Sequence, residues 1–182
     1  DFKATVEQLE AARTEKTKLI LLNSPSNPTG MIYSREELEA IGAWALEHDI
    51  LILADDIYGR LVYNGHEFTA ISSLSEALRK QTIVVNGVSK TYAMTGWRVG
   101  FAVAEPEIIA GMAKIISQTT SNLTAVSQYA AIEALTGDQS SIETMRQAFE
   151  ERLNTIYPLL AEIPGFEVIN PQGAFYLFPN VK

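Results

Sequence analysis

Three short apolar runs stand out along the chain: "LILLN" at 19–23, "ILILA" at 50–54 and "IVVN" at 83–86. Near-continuous runs of strand length suit strands covered on both faces, as in a parallel sheet flanked by helices. Between the first two, "YSREELEAIGAWALEHD" keeps Leu38, Ile41 and Ala45 at helical spacing behind a capping box of Ser34 and Glu37, so a strand–helix–strand unit is predicted. A fourth strand is read in "VGFAVA" at 99–104, but the residues between it and the third run lack helical periodicity. A parallel crossover normally needs a helix, so this strand is expected to return antiparallel to the third.

Further on, the pattern predicts helices at 105–119, 124–136 and 140–162. The last joins a second capping box, Ser140 with Glu143, to an apolar face of Ile142, Met145, Phe149, Leu153, Ile156 and Leu160. Pro158 is expected to kink or interrupt it. Short strands near "FEVI" and "AFYLF" are expected to begin a second layer. No internal repeat, low-complexity segment or long Gly/Ser/Pro linker divides the chain, which reads as one continuous domain.

With 182 residues, 47% of them hydrophobic and 20% charged, the chain has enough apolar surface for a core. A net charge of −8 argues against nucleic acid or an anionic membrane as its main partner, since either requires a basic face. The absence of cysteine removes disulfides, thiolate nucleophiles and cysteine metal sites together, and fits a reducing cytoplasm. His48 and His66 are far apart with no ligand spacing around them, so no zinc site is expected. No apolar run approaches a membrane span, and "DFKATVEQLE" lacks a signal-peptide pattern. The sequence opens without methionine in what reads as mid-domain, and an internal piece of a longer protein is expected.

Open α/β sheets bind ligands beyond the carboxyl ends of their strands. Here "LILLN" runs into "SPSNPTG", "ILILA" into "DDIYGR" and "IVVN" into "GVSK", while Arg98 opens the returning strand at the same edge. Taken singly, each of these residues has a structural explanation. Asn27 before Pro28 suits a turn, Asp55 and Asp56 suit a cap, Tyr58 suits a cleft wall, Lys90 suits a solvated surface and Arg98 suits an ion pair. Their joint placement after three successive strands points instead to one cleft. A lysine amine drawn out of water becomes a nucleophile toward an aldehyde. A carboxylate can keep a pyridine nitrogen protonated, and an arginine fork with hydroxyls can hold a phosphate. Aldehyde, pyridinium and phosphate are the three handles of pyridoxal phosphate.

"SPSNPTG", "ADDIYGRLVY" and "NGVSKTYAMTGWRVGF" together resemble the class I and II aminotransferases, of the fold-type I family of pyridoxal-phosphate-dependent enzymes. The resemblance implies an α/β fold, a three-layer, mostly parallel sheet with flanking helices and one antiparallel strand. Residues 1–137 would be the central part of the cofactor-binding large domain, and 138–182 a connecting helix and the start of a smaller C-terminal domain. It implies that Lys90 forms the internal aldimine with pyridoxal 5′-phosphate and then shuttles the proton between the substrate Cα and the cofactor. Asp55 would pair with the pyridine nitrogen. Asn27 and Tyr58 would bond the ring's 3′-oxygen, and Asn27 would border the substrate as well. Arg98 would bind the phosphate with Ser89 beside it, Pro28, Thr29 and Gly30 would shape the turn carrying Asn27, and Phe175 would line the substrate side. Asp56 stands where relatives often have glutamate and is given no chemical role.

In the family the glycine-rich phosphate turn and the aromatic residue stacking on the ring lie upstream of this segment, and the arginine gripping the substrate carboxylate lies downstream. The chain alone is therefore expected to be inactive and to hold cofactor weakly. The implied function is transfer of an amino group from an L-amino acid, aspartate by the look of residues 95–131, to a 2-oxo acid such as 2-oxoglutarate, by a cytoplasmic homodimer. Alternatives are an aromatic or alanine aminotransferase, a carbon–sulfur lyase or cyclopropane-forming synthase of the same fold, and the aminotransferase-like sensor domain of a transcription regulator. An α/β domain binding a phosphorylated ligand through Arg98, with Lys90 ordinary, is a further one.

Overall fold

A computed structural model describes residues 2–181; the outermost residues of the two expected units, Asp1 and Lys182, lie outside the described residues. One sheet holds β1 (Leu19–Asn23), β2 (Leu51–Asp55), β3 (Thr82–Gly87) and β4 (Gly100–Val103) in that order. The first three are parallel and β4 pairs antiparallel with β3, as the lack of a crossover helix between them required.

Two helices lie where the apolar pattern gave no prediction, α1 (Val6–Ala12) and α3 (Glu76–Gln81); α2 (Arg35–Glu47) is the predicted one. The Ser34–Glu37 capping box that opens α2 forms as expected, and Thr5 with Gln8 forms another at α1. Leu38, Ile41, Trp44 and Ala45 of α2, with Leu78 of α3, bury Leu22, Ile52 and Ala54 on one face of the sheet. Gln81 donates from its side-chain amide to the carbonyls of Ala45 and Ile50, satisfying acceptors where α2 hands over to β2. The opposite face is less covered, and Leu21 on β1 is 66% exposed.

Three further helices, α4 (Pro106–Thr119), α5 (Ala125–Thr136) and α6 (Ser140–Ala161), fill the predicted ranges. The second capping box does not form. Ser140 already lies inside the helix, its hydroxyl and backbone N–H both bond Asp138, and Glu143 instead pairs with Arg146. Aspartate one position before the cap competes for the serine, and a nearby guanidinium outbids a backbone N–H for the glutamate. The helix runs through Pro158 without interruption. "AFYLF" is not a strand. A two-stranded sheet is formed by β5 (Phe166–Glu167) and β6 (Asn180–Val181), and 171–177 instead cross the large sheet's carboxyl edge as an irregular strap. Gln172, Gly173 and Ala174 of that strap bond the loops beneath it instead of a neighbouring strand.

Candidate active site

The site begins with strand register. Asn23, Asp55 and Val85 are level across β1, β2 and β3, and Gly87 faces Gly100 at the start of β4. Parallel pairing thus delivers three loops and the returning Arg98 to one edge of the sheet.

The loop after β1 turns through Ser24–Pro25 and Asn27–Pro28, both cis, and closes by Ser26 N–H to Met31 carbonyl at 3.0 Å and Gly30 N–H to Ser26 carbonyl at 2.8 Å. Gly30 has φ +69°, and a Cβ there would sit 2.8 Å from the Gly173 carbonyl oxygen, so both conformation and space require glycine. Asn23, which the motif reading passed over, ties two of the loops together. Its side-chain oxygen accepts the Asn27 N–H at 2.7 Å, and its amide donates to the Asp55 carbonyl at 3.3 Å.

After β2, the Asp55 carboxylate accepts the Ile57 N–H at 3.2 Å, which turns it toward the edge. Asp56, the next residue, is buried. Burial, and after it the neighbouring Asp55 charge, pushes its carboxyl up to about 7. Tyr58 is buried too, and its hydroxyl lies 2.5 Å from that of Tyr176. Burial raises the Tyr58 phenol well above the ordinary tyrosine value.

The loop after β3 carries Ser89 and Lys90, both half-buried. Lys90 Nζ lies 5.8 Å from the centre of the Tyr58 ring and 5.4 Å from that of Phe175. Ser89, Lys90, Thr95, Phe149, Arg152 and Phe175 share the lining of one pocket. The loop is stitched by Tyr92 and Met94 N–H groups to the Val88 carbonyl and by the Thr95 hydroxyl to the Ser89 carbonyl. Ala93 and Arg98 both take left-handed backbone, φ 55° and 56°, the second of which swings the chain into β4. Arg98 is exposed and spends one N–H on the Thr95 carbonyl at 3.2 Å.

The residues picked from sequence are therefore brought to one edge, with Phe175 arriving from the far end of the chain. Polar groups at this edge remain uncommitted: among the described residues, neither the Asn27 side-chain amide nor the Lys90 ammonium makes a hydrogen bond or ion pair. A primary amine, a carboxylate, an amide, a phenol and a guanidinium gathered in this way fit pyridoxal phosphate, whose aldehyde, ring nitrogen, ring oxygen and phosphate call for those donors and acceptors. No group of three or more metal-ligating side chains is found among the described residues.

Comparison with known proteins agrees with this geometry. The family model for aminotransferase class I and II matches residues 1–182. The asparagine–oxo-acid transaminase of Streptococcus mutans is 76% identical over 181 residues, which are 100% of this chain and 46% of that protein. The aspartate aminotransferase of Bacillus sp. is 58% identical, over 100% of this chain and 46% of its own length. Among solved structures, the aspartate aminotransferase of Rhizobium meliloti superposes with a TM-score of 0.95 at 41% identity, covering 99% of this chain and 45% of that one. The aromatic aminotransferase of Pyrococcus horikoshii gives 0.93 at 37%, covering 98% and 48%. The chain thus spans about half the length of the relatives it matches. On a match running through all 182 residues, the chain belongs to the class I and II aminotransferase family.

Proposed function

We propose that this chain is the central part of a pyridoxal-phosphate-dependent aminotransferase that moves the amino group of an L-amino acid, aspartate, to a 2-oxo acid, 2-oxoglutarate. The observation that carries the reading is the convergence of Asn27, Asp55, Tyr58, Lys90 and Arg98 beyond the ends of β1, β2 and β3, in a chain of this family. Bound there, pyridoxal phosphate supplies an electrophilic carbon and a protonated ring that accepts electrons released at the substrate Cα.

The chain's own residues do the rest. Lys90 Nζ would hold the electrophilic carbon and, once the substrate amine has displaced it, would be the base that carries the proton leaving the substrate Cα. The Asp55 carboxylate keeps the proton on the ring nitrogen. Asn27 and Tyr58 donate to the ring oxygen, and Asn27 also borders the substrate. Arg98 clamps the phosphate with its fork, assisted by the Ser89 hydroxyl. Phe175, over Lys90, closes the substrate side against water. Residues 1–137 form the central part of the large domain, and 138–182 the connecting helix and the start of the small one.

The enzyme works as a homodimer in the cytoplasm, without nucleic acid or membrane as partner. Supporting the first point, α5 exposes Val126, Tyr129 and Ile132. The net charge, the lack of cysteine and the lack, among the described residues, of a helix fit to cross a membrane accord with the second. A second reading has a specific observation behind it: the 76% identical relative is named for asparagine, which makes the amide the competing amino donor.

The test is borohydride reduction of the full-length protein loaded with pyridoxal phosphate, followed by peptide mapping, with Lys90→Ala as control. Selective labelling of Lys90 is expected, and labelling scattered over other lysines would refute the assignment. Turnover with aspartate and with asparagine, each paired with 2-oxoglutarate, then decides between the two donors.

A further inference from the structure

Tyr176 lies on the strap, 118 residues from Tyr58, and nothing in the motifs above assigns it a role. The strap is fixed rather than draped. Gln172 and Gly173 N–H groups both donate to the Gly30 carbonyl at 2.9 Å, Ala174 N–H donates to the Leu61 carbonyl at 2.9 Å, and Tyr63 N–H donates to the Gln172 carbonyl at 3.0 Å. The Gln172 side-chain oxygen accepts the Ile32 N–H at 2.9 Å, and the Tyr63 hydroxyl donates to the Ala174 carbonyl. Two residues past this anchorage, the Tyr176 ring meets Tyr58 edge to face at 5.8 Å and Phe175 at 4.9 Å, so its hydroxyl is held against that of Tyr58.

The bond between the two phenols has a direction that hydrogen counting decides. Each phenol has one O–H. If Tyr58 gives its own to the cofactor's ring oxygen, only Tyr176 can supply the proton shared between them. We propose that Tyr176 is a positioning residue: it donates to the Tyr58 oxygen, holds that side chain in place and frees the Tyr58 O–H for the ring oxygen. The inference rests on the function proposed above. Hydrogen bonds in a chain polarise one another, so an oxygen that accepts from Tyr176 becomes a better donor onward. Tyr176 thereby favours the unprotonated form of the Lys90–cofactor linkage, whose charge the ring oxygen carries. Charged groups around the pair are Asp55, Lys90 and, on the Tyr176 side, Arg152; among the described residues none of them hydrogen-bonds the Tyr58 oxygen, which Tyr176 meets.

The experiment is an absorbance titration of the cofactor in the full-length holoenzyme, comparing wild type, Tyr176→Phe, Tyr58→Phe and the double variant. Phenylalanine keeps the ring contacts and removes one oxygen. Tyr176→Phe is expected to raise the pH of the spectral midpoint by about half a unit, as weakening one bond in a polarised chain implies. In the Tyr58→Phe background the same change should do nothing, because the effect passes through the Tyr58 hydroxyl. No shift in the first background, or an equal shift in both, would overturn the proposal and leave Tyr176 a packing residue. A wild-type protein whose cofactor is not on Lys90 would overturn the proposed function, and this inference with it.

Discussion

Asp56→Asn should flatten the pH dependence of stability. The Asp56 side chain is 8% exposed, and burial next to Asp55 lifts its carboxyl from 3.8 to about 7. In the unfolded chain that carboxyl ionises at its ordinary value, so between the two values the folded protein holds a proton that the unfolded one has released. Stability contributed by the raised group is therefore fully present below about pH 4 and is lost as pH rises to about 7. A shift from 3.8 to about 7 corresponds to about 4 kcal/mol at 1.36 kcal/mol per unit. Interiors respond with an effective dielectric nearer 20 than 4, which brings the expected loss nearer to about 2 kcal/mol. Asparagine keeps the shape and never ionises, so it is spared this loss. Urea unfolding of wild type and variant at about pH 5 and about pH 8 reads the effect directly: the variant should gain on wild type by roughly 1–2 kcal/mol between the two. A wild-type-to-variant difference that stays constant across that interval would refute the reasoning, because it would mean that Asp56 ionises in the folded state as it does in the unfolded one.

Gly30→Ala should destabilise by about 2–4 kcal/mol in the same unfolding assay, from left-handed backbone strain added to overpacking against the strap; a loss below about 0.5 kcal/mol would show that the turn can relax. Asn23→Ala removes the amide that joins the Asn27 loop to the Asp55 strand end. It should weaken cofactor binding to the full-length protein by about tenfold, measured by fluorescence titration, for roughly 1.4 kcal/mol of lost positioning.

Much of this was readable from the chain because its signals are local. Apolar runs gave the strands, Ser34 with Glu37 gave the start of α2, and the unfilled crossover gave the antiparallel turn of β4. The rule that ligands gather beyond strand ends gathered Asn27, Asp55, Tyr58, Lys90 and Arg98 into one place. Applied one residue earlier, the same rule finds Asn23, the last residue of β1, level with Asp55. Tyr176 carried no such signal, since its partner is reached only after α6 has returned the chain to the sheet edge. The Ser140 box failed for the opposite reason: the local pattern was present, but Asp138 and Arg146 offered the same side chains stronger partners. "AFYLF" likewise has the composition of a strand, but Ala174 bonds the Leu61 carbonyl, and Phe175 and Tyr176 pack on Tyr58, all far along the sequence.

The site's parts depend on the strap to different degrees. The Asn27 loop and the Tyr58 loop are both bonded to it, through the Gly30 and Leu61 carbonyls, so their relative placement rests on residues 172–174. The loop bearing Lys90 is held mostly by its own bonds, Val88 to Tyr92 and Met94 and Ser89 to Thr95, and by the pairing of β3 with β4; it meets the strap through Phe175. Two left-handed residues, Ala93 and Arg98, cost that loop about 1–2 kcal/mol each, and its internal bonds together with the strand pairing offset the strain. The amine and the guanidinium are thus placed by their own loop, by the β3–β4 pair and by packing of Val88 and Val99 against α5, with the Tyr92 hydroxyl bonded to Gln139, whereas the Tyr58 phenol is also set by a segment arriving after α6. Displacement of that C-terminal segment would be felt at Tyr58 through a hydrogen bond and ring contacts, and at Lys90 only through the Phe175 ring.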